Sequence, residues 1–457
     1  MLRLRLLPPA LLALPLIGGC SEAGPAPETS GPRRPNVLLV VIDTLRSDHL
    51  SCYGHERVTS PQLDRLAEDS WVYERAYSQA PWTTPSIGAL LTSRYPTSLG
   101  IRSDRSVLPE DEVTLAETLQ AAGYHTAAVV SHSFCSERWG FAQGFTDFDE
   151  SNVLGHDAVT SSGVTARGLA FLESREQDPQ PWFLWMHYFD PHCAYVEQEE
   201  AFGGAGAYEG PVRSGQLYAE LWKQRRSLTA TDHAELRRLY DSEIHHTDAQ
   251  LGRVLARLEE TGALDDTIVV VTADHGEEFG DHGSIGHART LHEELIRVPL
   301  LVRIPGESPR RIDDPVALVD LFPTLAAQLG VEAPADAVGL DIRPGGSGLE
   351  PGRTVYSETN RGRRLRAAIR GPLKVIREGR MPRPQVFDLD SDPTELVPVP
   401  VASRPDAQAL MQGLDGWWQA LKSEAREEST LDLGASDQQL LEQRSEEHTS
   451  ELQSRQY

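Results

Sequence analysis

Four apolar runs in this chain, three of them rich in β-branched residues, each stop abruptly at a polar side chain. NVLLVVI ends at Asp43, TAAVV at Ser131-His132, FLWMHYF at Asp190 and TIVVVTA at Asp274-His275. A fifth run, VPLLVRIP, starts at Val298. Near-continuous apolar runs without alternation predict strands covered on both faces, as in a parallel sheet. Between them the helical period predicts helices over 61–70, over 114–124 with a glycine stop, and over 242–262. In the last, Leu251, Val254, Leu255 and Leu258 make one apolar stripe and Gly262 ends it. Strand–helix–strand alternation predicts a doubly wound α/β sheet. In such sheets the polar residues after the strands converge in one crevice at their carboxyl ends.

The texture changes near residue 350. Residues 353–376 and 385–391 read as short strands with turns. Residues 405–424 read as an amphipathic helix carrying Leu410, Leu414, Trp417, Trp418 and Leu421. The expected organisation is a signal segment over 1–20, a flexible linker over 21–34, a catalytic domain over 35–350, a small α+β subdomain over 351–430 and a tail over 431–457.

Arg3 and Arg5 precede an apolar stretch over 6–17, too short for the ~20 residues that span a bilayer, so the N-terminus reads as an export signal. Its close, Ile17-Gly18-Gly19-Cys20, resembles a bacterial lipoprotein signal, which implies a lipid anchor on Cys20 in the cell envelope. An ordinary signal peptide with a chance cysteine is the plainer alternative. The Gly/Pro/Glu/Ser-rich residues 21–34 then form a tether. At the other end, RSEEHTSELQSR over 444–455 resembles a translated sequencing adapter and is set apart from the fold.

Composition narrows the function classes. Lys and Arg number 43 against 68 Asp and Glu, a formal charge of −25, which argues against a nucleic-acid partner. A hydrophobic share of 39% supports a sizeable core. Four cysteines exclude a disulfide scaffold, and with Cys20 lipidated, Cys52, Cys135 and Cys193 leave at least one thiol outside a disulfide.

Asp43 and Asp274-His275, brought together at strand ends, would make a mixed oxygen and nitrogen site for a divalent cation. Singly, an Asp after a strand is an ordinary turn or cap residue. The run Asp274-His275-Gly276-Glu277-Glu278 directly after VVVTA, however, offers no packing advantage. Thr83-Thr84-Pro85 reads as a helix start. Either hydroxyl caps the helix, or it sits where the helix dipole attracts an anion and, beside a cation, becomes a nucleophile. Trp82, next to it, reads as core.

These motifs, in this order, resemble the sulfatase family of the alkaline-phosphatase superfamily. The resemblance rests on Pro-Asn-Val-Leu-Leu-Val-Val-Ile-Asp43-Thr-Leu-Arg46, Cys52-Tyr-Gly54, Thr83-x-Pro85-Ser86, Phe189-Asp190-Pro191-His192, Thr272-Ala-Asp274-His275-Gly276-Glu277, Gly286-His287 and Glu293-Glu-Leu-Ile-Arg297. Phe387-Asp388-Leu-Asp390-x-Asp392-Pro393-x-Glu395 resembles a strand of the family's C-terminal subdomain. The resemblance implies an alkaline-phosphatase-like, mostly parallel sheet flanked by helices. It implies Asp43, Thr83, Asp274 and His275 as ligands of Ca, Mn or Zn. It implies Thr83 as the nucleophile, His192 and His287 as groups that touch the ester oxygens or protonate the leaving group, and Arg46 as structural. A small-molecule, glycan or lipid ester would be the substrate.

Three departures qualify the carry-over. Thr83 cannot become formylglycine, so that cofactor is not expected, and Ile87 stands where the supporting arginine would be. Thr44 replaces a second Asp beside Asp43. The remaining set resembles the threonine-nucleophile branch of the superfamily, which acts on phosphate esters. The sequence leaves sulfate and phosphate both open, with the chemistry of Thr83 favouring phosphate. His245, His246, Asp248, His282 and His292 are available for a second metal. The segment 196–228 reads as a lid-like insertion. The alternative from another class is an inactive lipoprotein of this fold that binds an anionic glycan or envelope component.

Overall fold

The computed structural model of the protein describes residues 34–154, 158–198, 208–379 and 384–431. The expected export signal with Cys20, the linker up to residue 33, the tail after residue 431 and residues 199–207 of the insertion lie outside them.

The apolar runs become the centre of an eight-stranded sheet. Its strands are β1 (Asn36–Ile42), β2 (Trp71–Tyr73), β3 (His125–Val129), β4 (Asp147–Asp149), β5 (Trp182–Tyr188), β6 (Thr267–Ala273), β7 (Leu300–Arg303) and β8 (Arg310–Ile312), in the order β8-β2-β7-β6-β1-β5-β3-β4. Every residue of β1, β5 and β6 is buried, which accounts for their lack of alternation. The pairs β1–β5, β1–β6, β3–β5 and β3–β4 are parallel. The fifth run departs from expectation: β7 runs antiparallel to β6 and β2. Pro299 has no N–H to donate and divides the run, so that Arg297–Val298 pairs with Ala76–Tyr77 in a separate small sheet.

Helices cover the sheet: α1 (Pro61–Glu68), α2 (Thr83–Thr92), α3 (Leu115–Ala121), α4 (Ser161–Arg175) and α5 (Ala230–Glu260). Thr114 and Glu117 close a capping box on α3. Helix α5 starts at Ala230, well before the expected 242, because its first turns bury polar side chains that mask the apolar period. Arg238 bridges Glu235 and Glu197, each at 2.8 Å, and Asp241 receives Arg57 and His49 at 2.7 and 2.6 Å.

Beyond residue 350, β9 (Val355–Thr359), β10 (Leu365–Arg370), β11 (Leu373–Glu378) and β12 (Gln385–Asp388) form an antiparallel sheet in sequence order, with α6 (Pro405–Ser423) packed on β10 and β11. One apolar cluster joins this sheet to the body, with Val355, Ile369 and Phe387 meeting Tyr77, Leu291 and Leu295. Among the described residues no disulfide joins Cys52, Cys135 and Cys193, and no helix is long and apolar enough to cross a membrane.

Candidate active site

The sheet register builds the site. Ile42 lies opposite both Tyr188 and Ala273, so β1, β5 and β6 end level with one another. Asp43 and Asp274 are therefore the first residues past aligned strand ends. Side-chain alternation places His187, opposite Val41, on the same face as Asp43. From β3, Ser131 donates to the His187 carbonyl at 2.6 Å, which brings His132 level with the same edge.

Both carboxylate oxygens of Asp43 and Oδ2 of Asp274 are buried with no hydrogen-bond partner among the described residues. Asp274 Oδ1 instead accepts from the backbone N–H groups of His275 and Thr44, at 2.9 and 3.3 Å. His275 Nε2 lies 3.5 Å from Asp43 Oδ1 and 3.4 Å from Asp274 Oδ2. Its Nδ1 faces the Gly276 carbonyl at 2.9 Å; a carbonyl only accepts, so Nδ1 carries the hydrogen and Nε2 keeps its lone pair for the site. Burial, with Asp274 and Glu277 nearby, holds the Asp43 carboxyl well above its ordinary range. Unpartnered buried carboxylates beside an imidazole lone pair have the donor chemistry of a divalent-cation site, and these residues fit one. Gly276 is required by close approach, because a Cβ there would sit 2.0 Å from the Glu294 carbonyl oxygen.

Thr83 opens helix α2, whose ten residues are all buried. Trp82 is the N-cap and no side chain caps the helix, so neither threonine takes that role. Thr84 donates to the Phe134 carbonyl at 3.3 Å, while Thr83 Oγ1 lies 3.4 Å from His275 Nε2. Ser86 anchors the helix by donating to the Asp274 carbonyl at 2.5 Å. Trp82 is core, 3% exposed, with the Arg361 guanidinium 5.0 Å from its ring.

The two remaining predicted residues close the ring. His192 and His287 meet edge to face at 5.0 Å, and His287 lies 4.6 Å from His275. His192 Nδ1 is held by the Cys193 carbonyl at 2.7 Å and His287 Nδ1 by Glu277 Oε1 at 3.1 Å. Burial pushes Glu277 up to about 7 against the pull of His275, Tyr195 and Arg46. Arg46 is the brace of this edge: its guanidinium donates to the Glu277 carbonyl at 2.9 Å and pairs with Asp281 and Asp48 at 3.1 and 2.8 Å.

All six predicted residues (Asp43, Thr83, His192, Asp274, His275 and His287) thus cluster beyond the ends of the central strands. Four of the five candidates for a second metal are engaged elsewhere. Asp248 accepts from the Gln62 and Leu63 N–H groups at the start of α1, at 2.9 and 2.8 Å. His282 and His292 stack at 3.6 Å and pair with Glu294 and Glu395. His246 faces Ser162 at 3.5 Å, and His245 lies on α5. Asp190, another strand-end acid, turns away to accept from Thr160 and Ser161 at the start of α4. At the described ends of the 196–228 stretch, Val196 N–H donates to Glu243 on α5 at 3.0 Å, and Trp222 is sandwiched between Arg225 and Arg289.

Sequence reasoning missed two histidines. His132 Nδ1 lies 3.1 Å and His187 Nε2 3.8 Å from Asp43 Oδ2. The signal for His132 was its place after a strand. For His187 it was one imidazole inside an otherwise apolar strand, a position with no other use for a base.

The Sulfatase family model matches residues 35–331. Among curated proteins, the N-acetylglucosamine-6-O-sulfatase of Bacteroides thetaiotaomicron is 24% identical over 423 residues, covering 74% of this chain and 75% of that one. A solved structure in complex with its substrate, D-glucosamine-2-N,6-O-disulfate, shares the fold with a TM-score of 0.70 at 21% identity, over 85% of this chain and 98% of that one. The phosphonate monoester hydrolase of Agrobacterium radiobacter shares it with a TM-score of 0.67 at 22% identity, over 86% and 96%. The chain belongs to the sulfatase family of the alkaline-phosphatase superfamily and is a hydrolase of sulfuric or phosphoric esters.

Proposed function

We propose that this chain cleaves an ester of phosphate in preference to sulfate, through a covalent intermediate on Thr83, in a cation-dependent reaction. The observation that carries this reading is the Thr83 hydroxyl, which opens a buried helix without capping it and lies 3.4 Å from His275. A divalent cation held by Asp43, Asp274 and His275 would lower the pKa of the Thr83 hydroxyl and offset the charge of the ester oxygens. The N-terminus of α2 adds its free N–H groups and dipole toward the same anion.

Thr83, ionised, attacks the ester centre in line; the bond to the leaving oxygen breaks as the bond to Oγ1 forms. His287, oriented by Glu277, gives its Nε2 proton to the leaving oxygen. The same imidazole then takes a proton from the water that attacks the intermediate, and Thr83 is released. His192 lies against His287 and contacts the ester oxygens. The relatives' glycan esters make a sugar ester the first substrate class to try.

The export signal and the lipid anchor on Cys20 are part of this proposal, and the sequence pattern alone supports them. The test compares an aryl phosphate diester, an aryl phosphate monoester and an aryl sulfate on the chain without residues 1–20 and the adapter-like tail. Phosphate turnover in the wild type, lost in Thr83→Ala with the fold intact, is the expected result. Faster sulfate than phosphate turnover, or an active Thr83→Ala, overturns it. Ester binding without turnover would favour the non-catalytic binding protein.

A further inference from the structure

The family resemblance expects a second carboxylate next to Asp43, and here that position is Thr44. In its place Thr44 offers only a neutral hydroxyl, buried and without a hydrogen-bond partner among the described residues. Thr44 sits in the left-handed region with φ 55°. Its carbonyl is tied to the Tyr240 hydroxyl at 2.6 Å and its N–H points to Asp274. The cation site has thus lost a carboxylate, while one strand over β5 carries a buried imidazole whose two ring nitrogens both lack a hydrogen-bond partner among the described residues. That residue is His187, fully buried on the face of the sheet that also holds Asp43. One ligand atom each from Asp43, His187 and Asp274 lie within 4.8 Å of one another. An imidazole so placed has no packing reason to be there, since an apolar residue would fill the strand without an unsatisfied nitrogen.

The neighbouring His132 stands differently. It approaches Asp43 but falls outside that three-residue group. The other histidine and carboxylate cluster, His49, His55 and Asp241, already has Arg57 on the carboxylate at 2.7 Å, so its charge is neutralised without an ion.

We infer that His187 is a fourth protein ligand of the cation site formed by Asp43, Asp274 and His275, and that its two imidazoles and two carboxylates select zinc over calcium. Calcium takes oxygen donors almost exclusively, six to eight of them, whereas zinc favours imidazole nitrogen and takes four donors, with expansion to a fifth leaving room for the Thr83 hydroxyl or an ester oxygen. The inference rests on the reading that these residues hold a cation and is independent of the role given to Thr83.

The experiment strips the protein with a chelator and measures Zn and Ca binding by competition with a chromophoric indicator, in wild type and His187→Gln. X-ray absorption at the zinc edge of the loaded wild type is measured in parallel. The expected results are one Zn per chain bound at least about 10³-fold tighter than Ca, and a zinc spectrum with two imidazole ligands. Zn affinity in His187→Gln should fall roughly 10–100-fold or more, with Ca affinity little changed. A single imidazole in the wild-type spectrum overturns the inference even if the variant fails to fold. So does Ca bound as tightly as Zn, unaltered Zn affinity in His187→Gln, or no metal bound at all. Loss of turnover in Thr83→Ala with the zinc result unchanged keeps the two readings separate.

Discussion

Glu277 touches neither the proposed nucleophile nor the two carboxylates, yet its side chain sets what His287 can do. Its Oε1 holds His287 Nδ1 at 3.1 Å, so the ring presents Nε2 as the acid. Glu277→Gln keeps the shape but removes the charge that supports the imidazolium. The expected loss is concentrated on the step that needs a proton: roughly 10²–10⁴-fold for alkyl esters with basic leaving groups, and far less for activated aryl esters. Rates across a series of leaving-group pKa values check this, since a merely structural role would lower all of them equally. Thr83→Ala should reduce turnover on every member of the series with no comparable change in melting temperature.

At the scale of single elements, two helix and loop features separate stability from activity. The Thr114–Glu117 capping box sits at the start of α3, away from the crevice residues. Thr114→Ala should cost about 1 kcal/mol in urea unfolding and leave kcat unchanged. Gly276 lies between His275, a proposed cation ligand, and Glu277, with its N–H donating to the Leu295 carbonyl at 2.9 Å. Gly276→Ala would drive a Cβ to 2.0 Å from the Glu294 carbonyl, so the loop must shift. Both a destabilisation of roughly 1–3 kcal/mol and a large loss of activity are expected, because the displaced residues are those of the site. A Gly276→Ala protein with wild-type kcat would show that the loop tolerates the shift.

At the scale of the whole molecule, the junction between the main body and the C-terminal sheet is electrostatic as well as apolar. Lys374 is fully buried on β11 and bridges Glu293 and Glu395 at 2.8 and 2.9 Å. Lys374→Met would leave two buried carboxylates without their cation, an expected cost of about 3–5 kcal/mol in urea unfolding. Beside it, burial opposes charge on His282, but the hydrogen bond and charge of Glu294 and the proximity of Glu395 raise it to about 9. A histidine raised above its unfolded value of about 6.5 contributes fully below that pH and loses its contribution as pH climbs through 9. The melting temperature should fall between about pH 6.5 and 9.5, and fall less steeply in His282→Asn.

The sequence by itself determined the central strands, the starts of α1, α2 and α3, and the polar residues that stand past the strand ends, because burial on both faces leaves an apolar run and a strand end leaves an abrupt polar stop. Three features were decided only by tertiary structure. The early start of α5 depends on partners such as Glu197 and Arg57, distant in sequence, that make buried polar residues affordable. The reversal of β7 depends on which edge the chain meets after Pro299. The place of His187 beside Asp43 and Asp274 depends on the register of three strands, and an imidazole inside an apolar run carries no periodic mark of its own. Periodicity records how each residue faces its own element; which side chains then share a site is set by long-range pairing, which local pattern does not encode.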